Sequence, residues 1–394
     1  MQQDDALHAA SLTVRVIAPG AGVKAELSLP ATTSIAETKA AIRLELKVPI
    51  FQQRLLAGTE VLQDAQCLGE VAAASGEPQG GALSITLVRV LRQLALVGAD
   101  DCVSWLWDLE TGEAIRHLVG HKNSPVCLDV DWSAERALTG STDRTLILWD
   151  LVKGESLLQL LGHNHCVRCA SLDCSSQRAL SGGNDKVLLL WDTQSGEVVR
   201  RLEGHGAVVE CVSVEWSSHR ALSGSGDKTL RLWDLQSGQT LRTFEGHVKA
   251  VRSLVVDWAR QRALSGGRDA MIRLWNWESG EAASRELPGH DGTVECLAAD
   301  WSSGVAISGG SDAMVRLWDV EAGEELKHAA ASPGANRHVG VVRCVSADWA
   351  SGRFLTGGHD AVLRIWDLAR FEEVQHFKGH TGPVPLYCVA TTWG

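Results

Sequence analysis

Histidine, serine or threonine, and aspartate recur at fixed intervals along most of this 394-residue chain. In one copy, His205 is followed by Ser223 after 18 residues, by Asp227 four residues later and by Trp233 six residues after that. A histidine, a hydroxyl and a carboxylate in register are the side chains of a hydrolase triad, in which the histidine takes the hydroxyl proton and the carboxylate orients the ring. The same residue types also form hydrogen-bond chains inside structural repeats.

The number of copies favours the structural interpretation, because a catalytic triad is needed once and this spacing occurs six times. The six sets are His121, Thr139, Asp143 and Trp149; His163, Ser181, Asp185 and Trp191; His205, Ser223, Asp227 and Trp233; His247, Ser265, Asp269 and Trp275; His290, Ser308, Asp312 and Trp318; and His338, Thr356, Asp360 and Trp366. In each set we expect a chain of hydrogen bonds from tryptophan through hydroxyl and imidazole to carboxylate, each worth on the order of 1 kcal/mol. The sequence therefore predicts a non-enzymatic protein.

A second regularity locates the strands that carry these sets. The closing tryptophan stands at Trp107, Trp149, Trp191, Trp233, Trp275, Trp318 and Trp366, a period of 42 residues that lengthens to 43 and 48 late in the chain. Within the third full copy, turn residues separate four short strands, at 208–215, 220–225, 229–233 and 240–244. Repeats of about 40 to 45 residues that end in Trp-Asp are typical of propeller blades with four strands.

With these motifs, residues 92–394 resemble the WD-repeat family. The resemblance implies an all-β propeller with seven blades. At its start, residues 94–98, 103–107 and 114–119 supply the last three strands of a blade, and residues 383–393 at the other end supply its first strand, so we expect the C-terminal strand to close the ring. We also expect His380 to join Asp101 and Trp107 in this closing blade, where Val97 takes the place of the hydroxyl.

Residues 12–90 have a different pattern: a strand at 12–17, a strand at 25–29, a helix at 34–46 and a last strand at 83–90. Pro49, the run Gln52-Gln53-Arg54-Leu55 and Ala57-Gly58 stand where ubiquitin has its own motifs. This module resembles ubiquitin, which implies an α+β fold of the β-grasp type. Leu56 matches ubiquitin's apolar recognition patch, and the last strand runs on into the propeller, so the resemblance implies a built-in docking domain. Residues 1–11 are expected to be a disordered N-terminus.

A candidate binding surface follows from the propeller resemblance, which implies that the loops on one face surround a central channel. Before a column of cysteines, the copies read Val126, Arg168, Glu210, Arg252, Glu295, Arg343 and Tyr387. Arg268 and His359 precede their repeat aspartates and are expected on the same face, as is the loop 329–337. Two interpretations stay open: a ring of ion pairs, each worth about 0 to 1 kcal/mol, or a charged cradle for a partner's peptide.

Composition narrows the function classes. The formal net charge is −11, and no run of five or more basic residues is present, which argues against direct nucleic-acid binding. No apolar stretch approaches 18 residues and the N-terminus lacks the pattern of a signal peptide, so we expect a cytoplasmic or nuclear protein that does not bind membranes. Cys166 and Cys169 have half of a zinc motif, but a second pair is missing, so we expect neither metal nor cofactor.

The sequence thus leaves two functional hypotheses. In the first, the chain is an interaction scaffold or adaptor. Its propeller binds proteins or peptides through the channel face, and its ubiquitin-like module docks to ubiquitin-ligase or proteasome components. In the second, it is a ribosome-assembly factor whose ubiquitin-like module docks to a remodelling ATPase. Under either hypothesis it acts as a monomer or as part of a larger complex.

Overall fold

The computed structural model of the protein describes residues 11–18, 22–46, 48, 50–75, 82–89, 92–277, 285–328, 340–377 and 384–392. The chain divides into two compact units, Met1–Arg92 and Gln93–Gly394. Several sequence predictions lie outside the described residues: residues 1–10, Pro49, the loop 329–337, His338 and His380.

The first unit contains one five-stranded sheet with two helices. Its elements are β1 Ser11–Ala18, β2 Gly22–Pro30, α1 Ile35–Leu46, a 3-10 turn Ile50–Gln52, β3 Gln53–Ala57, β4 Glu60–Val61, α2 Leu68–Ser75 and β5 Leu83–Arg89. The sheet order is β2-β1-β5-β3-β4, with β1 parallel to β5 and the other pairs antiparallel. Ser11, which the sequence placed in a disordered N-terminus, instead belongs to β1 and pairs with Pro30. The sequence patterns did not indicate α2.

Alternating apolar residues on the strands build the core of this unit. Val14, Val16 and Ile85 have no exposed surface and pack against Ile35 and Ile42 of α1. The helix begins with a reciprocal cap, since the Ser34 N–H donates to Glu37 Oε2 at 2.8 Å and the Glu37 N–H donates to Ser34 Oγ at 3.2 Å. On the opposite face of the sheet, Leu56 is half-buried and lies across from Thr86.

The described part of the second unit forms seven four-stranded antiparallel sheets, numbered here in chain order. Sheet 1 contains β6 Leu94–Ala99, β7 Val103–Asp108, β8 Ala114–Val119 and β33 Leu386–Thr391; sheet 2, β9 Pro125–Asp131, β10 Arg136–Ser141, β11 Thr145–Asp150 and β12 Glu155–Leu161; sheet 3, β13 Val167–Asp173, β14 Arg178–Gly183, β15 Leu188–Asp192 and β16 Val198–Leu202; sheet 4, β17 Val209–Glu215, β18 Arg220–Ser225, β19 Leu230–Asp234 and β20 Thr240–Phe244. Sheet 5 contains β21 Val251–Asp257, β22 Arg262–Gly267, β23 Met271–Asn276 and β24 Arg285–Pro288; sheet 6, β25 Val294–Asp300, β26 Val305–Gly310, β27 Val315–Asp319 and β28 Glu324–His328; sheet 7, β29 Val342–Asp348, β30 Arg353–Gly358, β31 Leu363–Asp367 and β32 Glu372–Phe377.

Sheet 1 joins the two ends of the unit. β33 pairs antiparallel with β6, so that Val389 lies opposite Val97. The Thr392 N–H donates to the Leu94 carbonyl at 3.0 Å, and Thr392 Oγ1 accepts the Leu94 N–H at the same distance. The pairing of the C-terminal strand with the first strand of the repeat region agrees with the sequence prediction.

Glycines on the second strands let each sheet approach the next. A Cβ at Gly224 would lie 2.7 Å from Val251 Cγ1 of the following sheet, closer than real Cβ atoms come. The same relation holds between Gly98 of sheet 1 and the Pro125 carbonyl of sheet 2, at 2.8 Å, and a less tight approach, at 3.2 Å, joins Gly357 of sheet 7 to Leu386 of sheet 1. The sheets therefore follow one another around a closed circuit, an arrangement consistent with a propeller.

Candidate functional site

In sheets 2 to 6 the repeated histidine, hydroxyl, aspartate and tryptophan side chains contact one another. In sheet 4, His205 Nε2 lies 2.7 Å from Ser223 Oγ and His205 Nδ1 lies 2.8 Å from Asp227 Oδ2. Trp233 Nε1 donates to the same Ser223 oxygen at 2.8 Å. Equivalent contacts join the sets that begin at His121, His163, His247 and His290.

The donors and acceptors assign the protons in this chain of hydrogen bonds. The tryptophan N–H donates to the hydroxyl oxygen, the hydroxyl proton goes to Nε2, and Nδ1–H donates to the carboxylate, which requires a neutral imidazole. Burial lowers the pKa of His121 and His247 and outweighs the opposing effect of Asp143 and Asp269. Ser223 has no exposed surface, so a substrate does not reach its hydroxyl in this conformation. The arrangement links strands and offers no accessible nucleophile.

Each repeat aspartate also stabilises its own turn. Asp227 Oδ1 accepts the Thr229 N–H at 3.0 Å, and Oδ2 accepts the Gly206 N–H at 2.8 Å. Between them, Lys228 adopts a left-handed conformation with φ of 74°. Burial opposes the charge on Asp227, but the hydrogen bonds from His205, Thr229 and Gly206 together lower its pKa.

In sheets 7 and 1 the described residues show only part of the set, because His338 and His380 lie outside them. In sheet 7, Trp366 Nε1 donates to Thr356 Oγ1 at 2.7 Å, and Asp360 accepts from Arg364 at 2.6 Å. In sheet 1, Asp101 Oδ2 accepts from Trp105 Nε1 at 3.0 Å. The sequence predicts that Asp101 joins His380 and Trp107, a set that remains a prediction because His380 lies outside the described residues, and it does not predict the contact with Trp105.

A further arginine joins the network in the C-terminal sheets and was missed by the sequence analysis. Arg273 Nη1 lies 2.9 Å from Asp269 Oδ2, and Arg273 Nη2 lies 2.7 Å from Glu286 Oε1 on the outermost strand. The signal was present, because the residue two before the closing tryptophan is arginine in the last four copies: Arg231, Arg273, Arg316 and Arg364. The guanidinium extends the hydrogen-bond chain to the outer strand of the sheet.

The seven residues of the candidate channel ring all occupy the same special position. Each lies at the register shift near the start of the first strand of its sheet: Val126, Arg168, Glu210, Arg252, Glu295, Arg343 and Tyr387. A β-bulge leaves one residue without a cross-strand partner and changes the direction of its side chain. The bulges therefore explain how seven side chains from seven sheets converge.

These seven side chains line one cavity of about 530 Å³, together with Arg268 and Thr293. The structure thus brings together every ring residue that the sequence analysis selected. His359 lies beside the cavity, where its Nε2 accepts a hydrogen bond from Arg343 Nε at 3.1 Å. That bond requires an unprotonated Nε2, and burial together with Arg343 lowers the pKa of His359.

Most charges of this cavity are paired. Arg252 lies between two carboxylates, with Nη1 at 2.5 Å from Glu210 Oε2 and Nε at 2.9 Å from Glu295 Oε2. Arg343 Nη1 lies 3.0 Å from the same Glu295 oxygen, and Arg268 Nη2 lies 3.5 Å from Glu210 Oε1. The Glu210 and Glu295 side chains are only 5% and 9% exposed. Burial disfavours the charge on Arg252, but the two glutamates raise its pKa.

The lining residues from sheets 1 to 3 do not belong to this ion-pair network. Arg168 Nε donates to Asn184 Oδ1 at 3.0 Å, and no carboxylate of the described residues lies within 4.0 Å of its guanidinium. The Tyr387 hydroxyl donates to Asp100 Oδ1 at 3.2 Å, and Ser124 Oγ donates to the same oxygen. Val126 completes this side. Among the described residues, the cavity therefore combines a buried ion-pair network with the Arg168 guanidinium, whose partner is an amide.

The cysteines do not form a second site. All ten are free, and Cys127, Cys169, Cys296 and Cys344 of the strand column are buried. Burial raises the pKa of Cys127 and Cys344 to about 12, so these thiols remain protonated near neutral pH. Within the described residues, no group of three or more His, Cys, Asp or Glu side chains has a metal-binding arrangement. The same residues include no helix with the length and apolarity needed to cross a membrane.

Comparison with known protein families identifies the repeats of the second unit. No curated protein matches the chain. The family described as "WD domain, G-beta repeat" matches residues 112–150, 154–192, 196–234, 238–276, 282–319 and 335–367, which together make up more than half of the chain. These six matches contain the six repeated aspartates and closing tryptophans from Asp143 to Trp366. The chain therefore belongs to the WD40 repeat family.

Proposed function

We propose that the protein is a non-enzymatic interaction scaffold, in which a seven-bladed propeller presents one cavity to a protein or peptide partner. WD40 repeats generally mediate such interactions. The observation that carries the proposal is the cavity itself, to which each of the seven sheets contributes one bulge residue. The seven four-stranded sheets and the pairing of β33 with β6 support seven blades closed by the C-terminal strand.

The hydrogen-bonded histidine, serine and aspartate sets support a structural role in this proposal. Their hydroxyls are buried, and the set recurs from sheet to sheet. A nucleophile needs an accessible hydroxyl next to its base, and the hydroxyls of these sets have no exposed surface. We therefore assign binding to the cavity and stability to the sets.

We further propose that the N-terminal unit is a ubiquitin-like domain that docks to ubiquitin-pathway proteins. Its strand order, β2-β1-β5-β3-β4, with a parallel central pair and a helix after the first hairpin, supports a β-grasp fold. Leu56 is half-buried on the outer face of β3, across from Thr86 of β5. This position supports Leu56 as part of a small docking patch. We place the protein in the cytoplasm or the nucleus, where such partners are found.

Affinity capture with mass spectrometry tests both parts. We compare the full chain with the double variant Arg252→Glu, Arg343→Glu and with Leu56→Glu. Val23→Glu is a matched control, because Val23 is 53% exposed on the edge strand β2 of the same sheet. Thermal melting of each variant shows whether it remains folded.

Each outcome decides between the hypotheses. Partners lost in the arginine double variant support the cavity, and ligase or proteasome components lost only in Leu56→Glu support the docking domain. If the double variant Arg252→Glu, Arg343→Glu still captures the same partners, the assignment of partner binding to the cavity is wrong. Recovery of pre-ribosomal particles would replace the ubiquitin-pathway proposal with ribosome assembly.

A further inference from the structure

The charge of the cavity lining is opposite in sign to that of the protein. Four arginines and two glutamates line the cavity, so the formal excess is two positive charges, four minus two. The whole chain has a formal net charge of −11. A cationic concavity in an acidic protein attracts acidic ligands and repels basic ones, because a cleft concentrates the local field. The inference below concerns the chemistry of the partner, and it rests on the proposed function of the cavity as a binding site.

The two glutamates do not cancel the field of the arginines. Glu210 is shared by Arg252 and Arg268, and Glu295 is shared by Arg252 and Arg343. Both carboxylates are more than 90% buried and are already paired with two guanidiniums each. These carboxylates therefore have few acceptor positions left for a basic ligand. The guanidiniums, in contrast, retain N–H groups that can donate hydrogen bonds to an acidic ligand.

Two of the arginines are placed to make new contacts. Arg168 has an amide partner but no carboxylate of the described residues within 4.0 Å. The Arg268 side chain is 54% exposed, and its contact with Glu210, at 3.5 Å, is longer than the other ion pairs of the cavity. They lie on the two sides of Glu210, because Arg168 belongs to sheet 3, Glu210 to sheet 4 and Arg268 follows the second strand of sheet 5. A planar guanidinium donates two parallel hydrogen bonds to a carboxylate or a phosphate.

We propose that this cavity binds a short acidic segment of the partner protein and that Arg168 and Arg268 donate hydrogen bonds to its carboxylate or phosphate oxygens. The volume of about 530 Å³ accommodates a few side chains rather than a folded domain. Val126 and Tyr387 provide an apolar and aromatic wall beside Arg168 for the neighbouring residues of the segment. Carboxylate and phosphate share this chemistry, and the experiment distinguishes them.

Fluorescence anisotropy on the full chain tests the proposal with three labelled probes of equal length: an oligoglutamate, the same peptide with two phosphoserines, and an oligolysine. We expect the two acidic probes to bind and the oligolysine not to bind. Binding should weaken as salt rises, because screening acts on exposed charges. Tighter binding of the phosphoserine probe would identify phosphate as the preferred anion, and equal binding would identify the carboxylate as sufficient.

Charge reversal locates the site. The double variant Arg168→Glu, Arg268→Glu should weaken the acidic probes at least about tenfold, because a charged contact within a partly buried site is replaced by repulsion. Arg168→Gln provides a milder change if the double variant unfolds. The matched control is Arg220→Glu, which reverses an exposed arginine at the opposite end of the second strand of sheet 4 and should change binding by less than about twofold.

The results separate this inference from the proposed function. Oligolysine that binds as well as oligoglutamate, acidic probes that do not bind, or binding that the Arg168 and Arg268 variants leave unchanged would each overturn the acidic segment. If partner capture still depends on Arg252 and Arg343 in that case, the cavity remains the binding site and only its charge preference is wrong. If capture is insensitive to all cavity variants, the proposed function itself fails.

Discussion

The carboxylate of Glu210 lies 2.5 Å from the guanidinium of Arg252 across two neighbouring sheets. Both side chains are largely buried, at 5% and 16% exposed. Arg252 also contacts Glu295 of the next sheet, so one guanidinium holds three sheets together at the cavity. This relationship makes the cavity part of the structure of the protein as well as its proposed binding site.

Replacing Arg252 with methionine should destabilise the protein. The change leaves two buried carboxylates without their shared partner, and breaking a fully buried pair costs about 3–5 kcal/mol, so we expect about 2–4 kcal/mol here because Arg252 keeps some exposure. Urea denaturation measures the loss. In the triple variant that adds Glu210→Gln and Glu295→Gln, much of the stability should return, and no recovery would mean that Arg252 acts through packing alone.

Replacing Ser223 with alanine should destabilise sheet 4. The substitution removes the acceptor of the Trp233 N–H and the partner of His205 Nε2, both of which are buried, and each unsatisfied group costs about 1–3 kcal/mol. Chemical denaturation checks the result. Ser223→Thr is the matched control and should remain near the parent stability, since Thr139 and Thr356 occupy the same position in two other sheets. Equal losses in both variants would contradict the hydrogen-bond explanation.

Stability should fall on acidification in two stages. Burial lowers the folded pKa of His121 and His247 below the ordinary value of 6.5, so the unfolded chain binds more protons and stability decreases as the pH falls below 6.5. For Asp312, burial opposes the charge but the hydrogen bond from His290 lowers the pKa to about 2. Its contribution is present above pH 3.8 and is lost as the pH falls towards 2.

Urea midpoints measured between neutral pH and pH 3 test this dependence. The variants His121→Gln and His247→Gln should be less stable at neutral pH and should lose less stability between pH 7 and pH 5 than the parent. A parent whose stability is constant down to pH 4 would contradict the assignment of neutral, buried imidazoles.

Truncation before Leu386 should disrupt the closing sheet. Leu386 is fully buried, and the deletion removes the whole of β33, including the hydrogen bond between Thr391 Oγ1 and Ser346 Oγ at 2.7 Å. We expect a lower melting temperature and rapid proteolysis, because β6 loses its partner strand and sheet 7 loses its neighbour. Truncation after Thr392 is the control and should melt like the full chain. An unchanged melting temperature on the longer deletion would refute closure by β33.

The sequence by itself determined the repeat architecture of this protein. Turn residues and alternating apolar positions delimited the four strands of the third full copy within one residue; the strand expected at 208–215, for example, is Val209–Glu215. The constant spacing also identified the contacts of His205, Ser223, Asp227 and Trp233, because these depend on one sheet whose register local turns set. The pairing of β33 with β6 followed from counting strands at the two ends.

Only the tertiary structure decided what happens between sheets. Whether the ring of alternating charge is paired or open depended on distances between side chains in different sheets, which no local pattern encodes. The bulges that direct Arg168, Glu210 and Arg252 into one cavity were likewise invisible, because a bulge is a property of two paired strands. The second helix of the first unit, α2, was missed because its eight residues are too short for a clear helical period. Local spacing thus determined the sheets, and packing between them determined the charge and shape of the cavity.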